Sequence, residues 1–363
     1  MTGKKFFYTS LILFVSALAV MALTVFIVDP FFHYRAPNPN LYYRLYDQRS
    51  QNDGITRHFS YDSIITGTSM AENFKASRFD EAMNTRSIKV CYSGATYKEL
   101  NDNLKVSYES GHDIKYVFRT LDYSLLYRDK DALREDMGEY PYHLTDSNPF
   151  NDVKYLINRD VLINYTLPVI YHAIKGDASG YTNFDEYSYT DAENVYGKEY
   201  VLASVQGFDE AEEVISPTDE EISLLVDNME QNVVSLARSH PETTFIYFFP
   251  PYSMAYWGSL RHEGTLDHML EGKKKAIECM LECDNIHIYS FSTHTDITGN
   301  LDNYRDPGHY RASINDLIMD IMTQAEVSGE PVYDRICKEN YIQYLDDEKE
   351  LFHSYDYDSL LDE

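Results

Sequence analysis

The sequence predicts an α/β protein, a three-layer α/β/α sandwich around a parallel sheet, preceded by one membrane helix. Short apolar runs near residues 63, 87, 114, 244 and 286 each lie beside a longer amphipathic segment, the two periodicities of strand and helix. Strands that alternate with helices of this length pair in parallel, because each crossover must travel back along the sheet and so covers its faces. Residues 11–28 form a separate apolar stretch broken only by Ser16 and Thr24, about the length that spans a hydrocarbon core.

Lys4 and Lys5 precede that stretch, Phe6, Phe7 and Tyr8 extend it, and Asp29-Pro30 ends it. No A-x-A site follows, which favours an uncleaved anchor over a removed signal. With Lys4 and Lys5 before the helix and no basic cluster straight after it, the positive-inside rule puts the N-terminus in the cytoplasm and the rest outside, as a single-pass protein of the cell membrane. The anchor is assigned to residues 1–29. Residues 30–58, rich in Tyr, Pro and Asn, read as a stalk.

An α/β domain is assigned to residues 59–327. Its first strand, 63–66, leads into a helix over 71–83; the second, 87–92, passes through Ser93-Gly94-Ala95 into a helix over 97–110. A third strand, 114–121, ends at Asp122. After a helix over 219–239 come a strand at 244–249, a helix over 266–282, a strand at 286–291 and a last helix over 312–325. Residues 125–215 break the rhythm and are dense in tyrosine. An insertion there lies near the carboxyl ends of the strands, where open α/β sheets bind ligands; its tyrosines suit either a substrate wall or a core of their own. Residues 328–363 read as an acidic tail at the periphery.

The 59 acidic and 31 basic residues give a formal charge of −28, or about −30 once Lys4 and Lys5 are set aside. Phosphate-backbone binding needs clustered Lys and Arg, so nucleic acid is excluded as a partner. Four scattered cysteines, Cys91, Cys279, Cys283 and Cys337, make neither a disulfide framework nor a zinc pattern, and Cys279 and Cys283 read as residues of one helix face. Asn164-Tyr165-Thr166 fits a glycosylation sequon, a match expected by chance in a chain this long.

Two segments carry chemistry. In "IITGTSMAENF" (64–74), Gly67 permits a tight turn at the end of a strand and small Thr68 leaves room around Ser69, whose amide lies where a helix begins. Taken alone, this serine is a helix cap as readily as a nucleophile. In "NLDNYRDPGHYRASINDLIMDI" (300–321), Asp306 and His309 flank the turn pair Pro307-Gly308. A general base needs a neutral imidazole held by a carboxylate on its other nitrogen, and one short loop supplies both.

Together Gly67-Thr68-Ser69 and Asp306-Pro307-Gly308-His309, about 240 residues apart, resemble the SGNH, or GDSL-like, hydrolase and acyltransferase superfamily over residues 60–325. The resemblance implies a flavodoxin-like fold, a catalytic Ser69, Asp306 and His309, and no cofactor or metal. It implies an oxyanion hole from the amides of Ser69 and Gly94 and from the position after strand three. The family has asparagine there and this chain has Asp122. An ionised carboxylate would repel an oxyanion, so Asp122 is either protonated, turned away, or replaced by another donor. The anchor, "FFPPYSMAYW" (248–257) and "NLDNYRDPGHY" further resemble membrane-anchored envelope proteins of polysaccharide O-acetylation and teichoic acid D-alanyl transfer. This implies acyl ester transfer or hydrolysis on a cell-surface polysaccharide or a teichoic-acid-like polymer, beside a membrane-bound O-acyltransferase. Tyr252 and Trp257 are then expected at the rim of the site.

Two other classes compete. A metal site from His287, His294, Asp296, Asp302, Asp306 and His309 matches no ligand spacing. A non-catalytic envelope protein would keep the fold to bind glycan or an assembly partner, consistent with the departure at Asp122.

Overall fold

In the chain's computed structural model, residues 3–134, 136, 140–146 and 148–361 are described. The chain divides into two compact units, residues 1–60 with 135–183, and residues 61–134 with 184–363.

The first unit begins with α1, Gly3–Val28, whose apolar window has a mean hydropathy of 2.9 and is long enough to cross a membrane. Asp29 reverses the chain. Its carboxylate accepts the amides of His33, Tyr34 and Arg35 and the Tyr155 hydroxyl at 2.9–3.1 Å. Val25 and Phe31 then pack on Leu144, Tyr155 and Val161, so the end of α1 belongs to a folded core. The expected stalk is corrected accordingly. Residues 30–58 carry α2, Gln48–His58, capped by Asp47, and they bury Phe31, Phe32, Tyr43, Leu45 and Ile55. Gly54 lets α2 press on the chain, since a Cβ there would lie 2.1 Å from the Phe31 carbonyl oxygen.

The second unit holds the main sheet: β1 Ser63–Gly67, β2 Ser87–Cys91, β3 Tyr116–Thr120, β4 Thr244–Phe249, β5 Ile286–Ser290 and β6 Arg335–Ile336. The order is β2-β1-β3-β4-β5-β6, with every pair parallel except the edge pair β5-β6. Apolar runs form these strands because the central ones are covered on both faces, as the full burial of Ile64, Ile65, Val117, Phe118, Phe245 and Ile246 requires. Register sets Gly67 beside Cys91 and Thr120 beside Phe248, which brings the carboxyl ends of β1 to β4 to one edge. The chain reverses its direction of travel across the sheet at β1, making the gap between β1 and β3 the switch point where such sheets bind ligands.

The labelled helices of this unit are α3 Ala76–Met83, α4 Tyr97–Glu109, α5 Asp219–Met229, α6 Met254–His262, α7 Leu266–Met280, α8 Ala312–Ser328 and α9 Tyr341–Ser354. The helix expected over 71–83 is instead a 3-10 turn, Ser69–Ala71, followed by α3. The buried Lys89 ammonium takes the carbonyls of Glu72 and Phe74 at 2.6 and 2.9 Å, oxygens that a continuous helix would have bonded itself. Asp219–Met229 passes through a π-helical stretch, Glu230–Val234, before finishing as Ser235–Ser239. Cys283 lies beyond the end of α7, and the four cysteines are free thiols.

The expected peripheral tail is also corrected. β6 extends the sheet, and α9 buries Tyr344, Leu345 and Phe352. Its Glu348 reaches the equally buried Lys273 of α7 at 2.5 Å, and Phe352 stacks on Trp257 at 4.3 Å. Asp346 and Glu350 are exposed, while Glu348 is buried with the apolar face. The insertion is shared between the units: Tyr155 and Tyr187 are core residues, whereas Tyr196 reaches the cleft described next.

Candidate active site

β1 delivers Ser69 to the switch point. Gly67 has φ +148°, and a Cβ there would lie 2.2 Å from Thr120 Oγ1, so only glycine fits this turn. Thr68 caps the 3-10 turn and Ser69 opens it, half-buried at the mouth of a cleft. The cleft is narrow and is lined by Ser69, Asn73, Asn194, Tyr196, Arg305 and His309, among others.

The Asp306-His309 segment is a tight hairpin. Tyr304 and Tyr310 form an antiparallel bridge, and the Arg305 amide donates to the His309 carbonyl at 3.0 Å. Three further bonds fix it. The Ser253 amide and hydroxyl both donate to the Pro307 carbonyl at 2.9 and 2.8 Å, and the Tyr304 hydroxyl donates to the Pro251 carbonyl at 2.6 Å. α8 is tied to the serine turn as well, because Asn315 Nδ2 donates to the Met70 carbonyl at 3.2 Å.

These supports bring the three expected residues together. Ser69 Oγ lies 2.7 Å from His309 Nε2, and His309 Nδ1 lies 2.9 and 2.8 Å from the two carboxylate oxygens of Asp306. With Nδ1–H donated to the carboxylate, Nε2 is left to accept the serine proton. Burial would raise the Asp306 carboxyl, but the bond and charge of His309, together with the His309 and Gly308 amides, outweigh it and hold the group at about 2. Asp306 is therefore ionised at neutral pH.

The expected oxyanion donors divide. The amides of Ser69 and Gly94 have no hydrogen-bond acceptor among the described residues. Gly94, at φ +66°, follows β2 and lies against the Arg134 guanidinium, whose Nη1 would be 2.2 Å from an added Cβ and which donates to the Ser93 carbonyl. Asp122 is fully occupied elsewhere. Its Oδ2 accepts from Thr68 Oγ1 at 2.9 Å and Thr120 Oγ1 at 3.4 Å, and its Oδ1 accepts from the Tyr252 hydroxyl at 3.1 Å. Burial pushes its carboxyl above the ordinary carboxylate value, opposed by the Thr68 and Tyr252 hydrogen bonds.

Tyr252 is thus buried behind the site, and Trp257, expected at the rim, is fully buried in the core. The sequence reading missed Arg305, which reaches Asn194 at 2.5 Å and Asp306 at 3.4 Å, and missed the Thr68 and Tyr252 hydroxyls. No local pattern signals these partners. The six residues of the metal alternative do not form one site: His287 pairs with Glu326 at 2.7 Å, His294 with Asp334 at 2.6 Å, and His309 with Asp306 at 2.8 Å. Among the described residues no cluster of three or more His, Cys, Asp or Glu is set to hold a metal. Comparison of the chain with protein-family models, curated proteins and solved structures finds no match in any of the three.

Proposed function

We propose that this chain is a membrane-anchored serine acyl-ester enzyme of SGNH type, transferring or hydrolysing acyl groups on a cell-surface polysaccharide. The observation that carries the reading is the 2.7 Å approach of Ser69 Oγ to His309 Nε2, with Asp306 on the far nitrogen. Ser69 attacks the ester carbonyl while His309 takes its proton, and the oxyanion forms against the Ser69 and Gly94 amides. His309 then protonates the departing alcohol. The acyl-enzyme passes its group to a sugar hydroxyl or to water, the second half-reaction mirroring the first. An enzyme held at the membrane is well sited to receive acyl groups there, for instance from a membrane-bound O-acyltransferase, which favours transfer.

The sheet order supports a flavodoxin-like, three-layer fold. The crossovers from β1 to β2 and from β2 to β3 run in opposite directions, and right-handed crossovers then fall on opposite faces. The two lysines before α1 support an N-terminus inside and both units outside.

Charge narrows the acceptor. Of the 31 basic and 59 acidic residues, 9 and 10 fall in the first unit, leaving 22 and 49, a net −27, in the unit with the triad. Arg305, a cation lining the cleft, is engaged by Asn194 and Asp306. A polyanion such as teichoic acid would be repelled, so the acceptor is a polysaccharide of little negative charge.

The test is labelling of the full chain in detergent with a fluorophosphonate probe and release of 4-nitrophenol from 4-nitrophenyl acetate. Both should occur and both should vanish in Ser69→Ala. Labelling that persists in Ser69→Ala would overturn the assignment.

A further inference from the structure

We propose that Asp122, where the resemblance expects an oxyanion donor, is instead a positioning residue that clamps the nucleophile turn to the acid-base loop; this rests on the acyl-enzyme reading above. Its two oxygens face two different parts of the site. On one side Oδ2 holds Thr68 Oγ1, which in turn accepts the Met70 amide at 3.4 Å, so the carboxylate is one bond removed from the turn that carries Ser69. On the other side Oδ1 holds the Tyr252 hydroxyl. The Tyr252 ring lies beside Gly308, whose added Cβ would meet it at 3.6 Å, and the next residue, Ser253, grips the Pro307 carbonyl twice. One buried carboxylate therefore joins the end of β1, the end of β3 and the turn after β4, and through that turn the loop of Asp306 and His309.

The chemistry of the donors supports a clamp. All three are hydroxyls, each with a single proton, and both oxygens are already accepting. Both oxygens of Asp122 are thus committed to the hydroxyls of Thr68, Thr120 and Tyr252. Burial also pushes the Tyr252 phenol far above its ordinary value, so it stays a donor across the working range of pH. The separation of Ser69 from His309 depends on two segments 240 residues apart in sequence, and misplacement by about 1 Å can cost on the order of 100-fold in rate.

Four variants test this in the full chain: Asp122→Ala, Asp122→Asn, Tyr252→Phe and the double variant of Asp122→Ala with Tyr252→Phe. Readouts are acylation by 4-nitrophenyl acetate, fluorophosphonate labelling and hydrogen exchange of the backbone. Tyr252→Phe keeps the ring and so guards against a simple folding failure. Each single variant should slow acylation about 10- to 100-fold, mainly in kcat with KM little changed. The double variant should be no slower than the slower single one, because both break one chain of bonds. Exchange should rise together in residues 68–71 and 305–310. The clamp is overturned if the two losses multiply, if exchange rises in only one segment, or if Asp122→Asn matches or exceeds the native rate while Asp122→Ala does not, the signature of an oxyanion donor. Exchange is read without catalysis, so failure of the native chain to label at Ser69 would sink the acyl-enzyme reading and still leave the clamp decided.

Discussion

Asp306→Asn separates the charge of the triad carboxylate from its geometry. Asp306 Oδ1 accepts the Gly308 and His309 amides at 3.0 and 2.9 Å and lies 2.9 Å from His309 Nδ1, while Oδ2 lies nearer that nitrogen, at 2.8 Å, and 3.4 Å from Arg305 Nε. An asparagine whose carbonyl keeps the two amides places its NH2 at the Oδ2 position, where two donors already point. Imidazole then favours the tautomer with its proton on Nε2, and Ser69 loses its acceptor. Such a tautomer error is worth about 10³- to 10⁴-fold in rate, or roughly 4–5.5 kcal/mol of barrier.

Stability should change little. The folded carboxyl is held at about 2 against an ordinary 3.8, so its contribution is present above the unfolded value and lost as the pH falls towards 2. The side chain is 39% exposed, and solvent screening limits that contribution to about 1 kcal/mol or less. The assay is the pre-steady-state burst of 4-nitrophenol, with thermal unfolding as the control for folding. A variant that retains more than about a tenth of the native rate would refute the role given to Asp306.

Further outcomes follow from the same contacts. Gly67→Ala, which forces a Cβ to within 2.2 Å of Thr120 Oγ1 at φ +148°, should lower stability by about 2–3 kcal/mol in chemical denaturation and reduce labelling of Ser69 in the remaining folded protein. Glu348→Ala strands the buried Lys273 ammonium and should cost about 3–5 kcal/mol, whereas Lys273→Met with Glu348→Leu should recover most of it. Raising salt from about 50 to 500 mM, which contracts the Debye length from roughly 14 to 4 Å, should leave kcat/KM for an uncharged ester unchanged and raise it for a polyanionic one. Equal salt responses would remove the charge argument for the acceptor.

The parallel-sheet class was legible because apolar runs such as Thr244–Phe249 are covered on both faces and carry that burial in their composition. α1 was legible from the length of its apolar run, which only Ser16 and Thr24 interrupt over residues 11–28. Ser69, Asp306 and His309 could be named because a turn glycine before a serine, and an Asp and His across Pro-Gly, are local requirements of the chemistry. What local pattern could not carry was partnership over distance. Residues 30–58 read as a stalk because their Tyr, Pro and Asn do not reveal that Phe31 and Ile55 have a core to enter. Residues 341–354 read as a tail because acidic residues mask an apolar face whose complement, Trp257, lies nearly a hundred residues away. Asp122 shows the division most sharply. The sequence determined that a carboxylate stands at the third strand end, but whether it faces an oxyanion or three hydroxyls depends on Thr68 and Tyr252, which only the folded sheet brings to it.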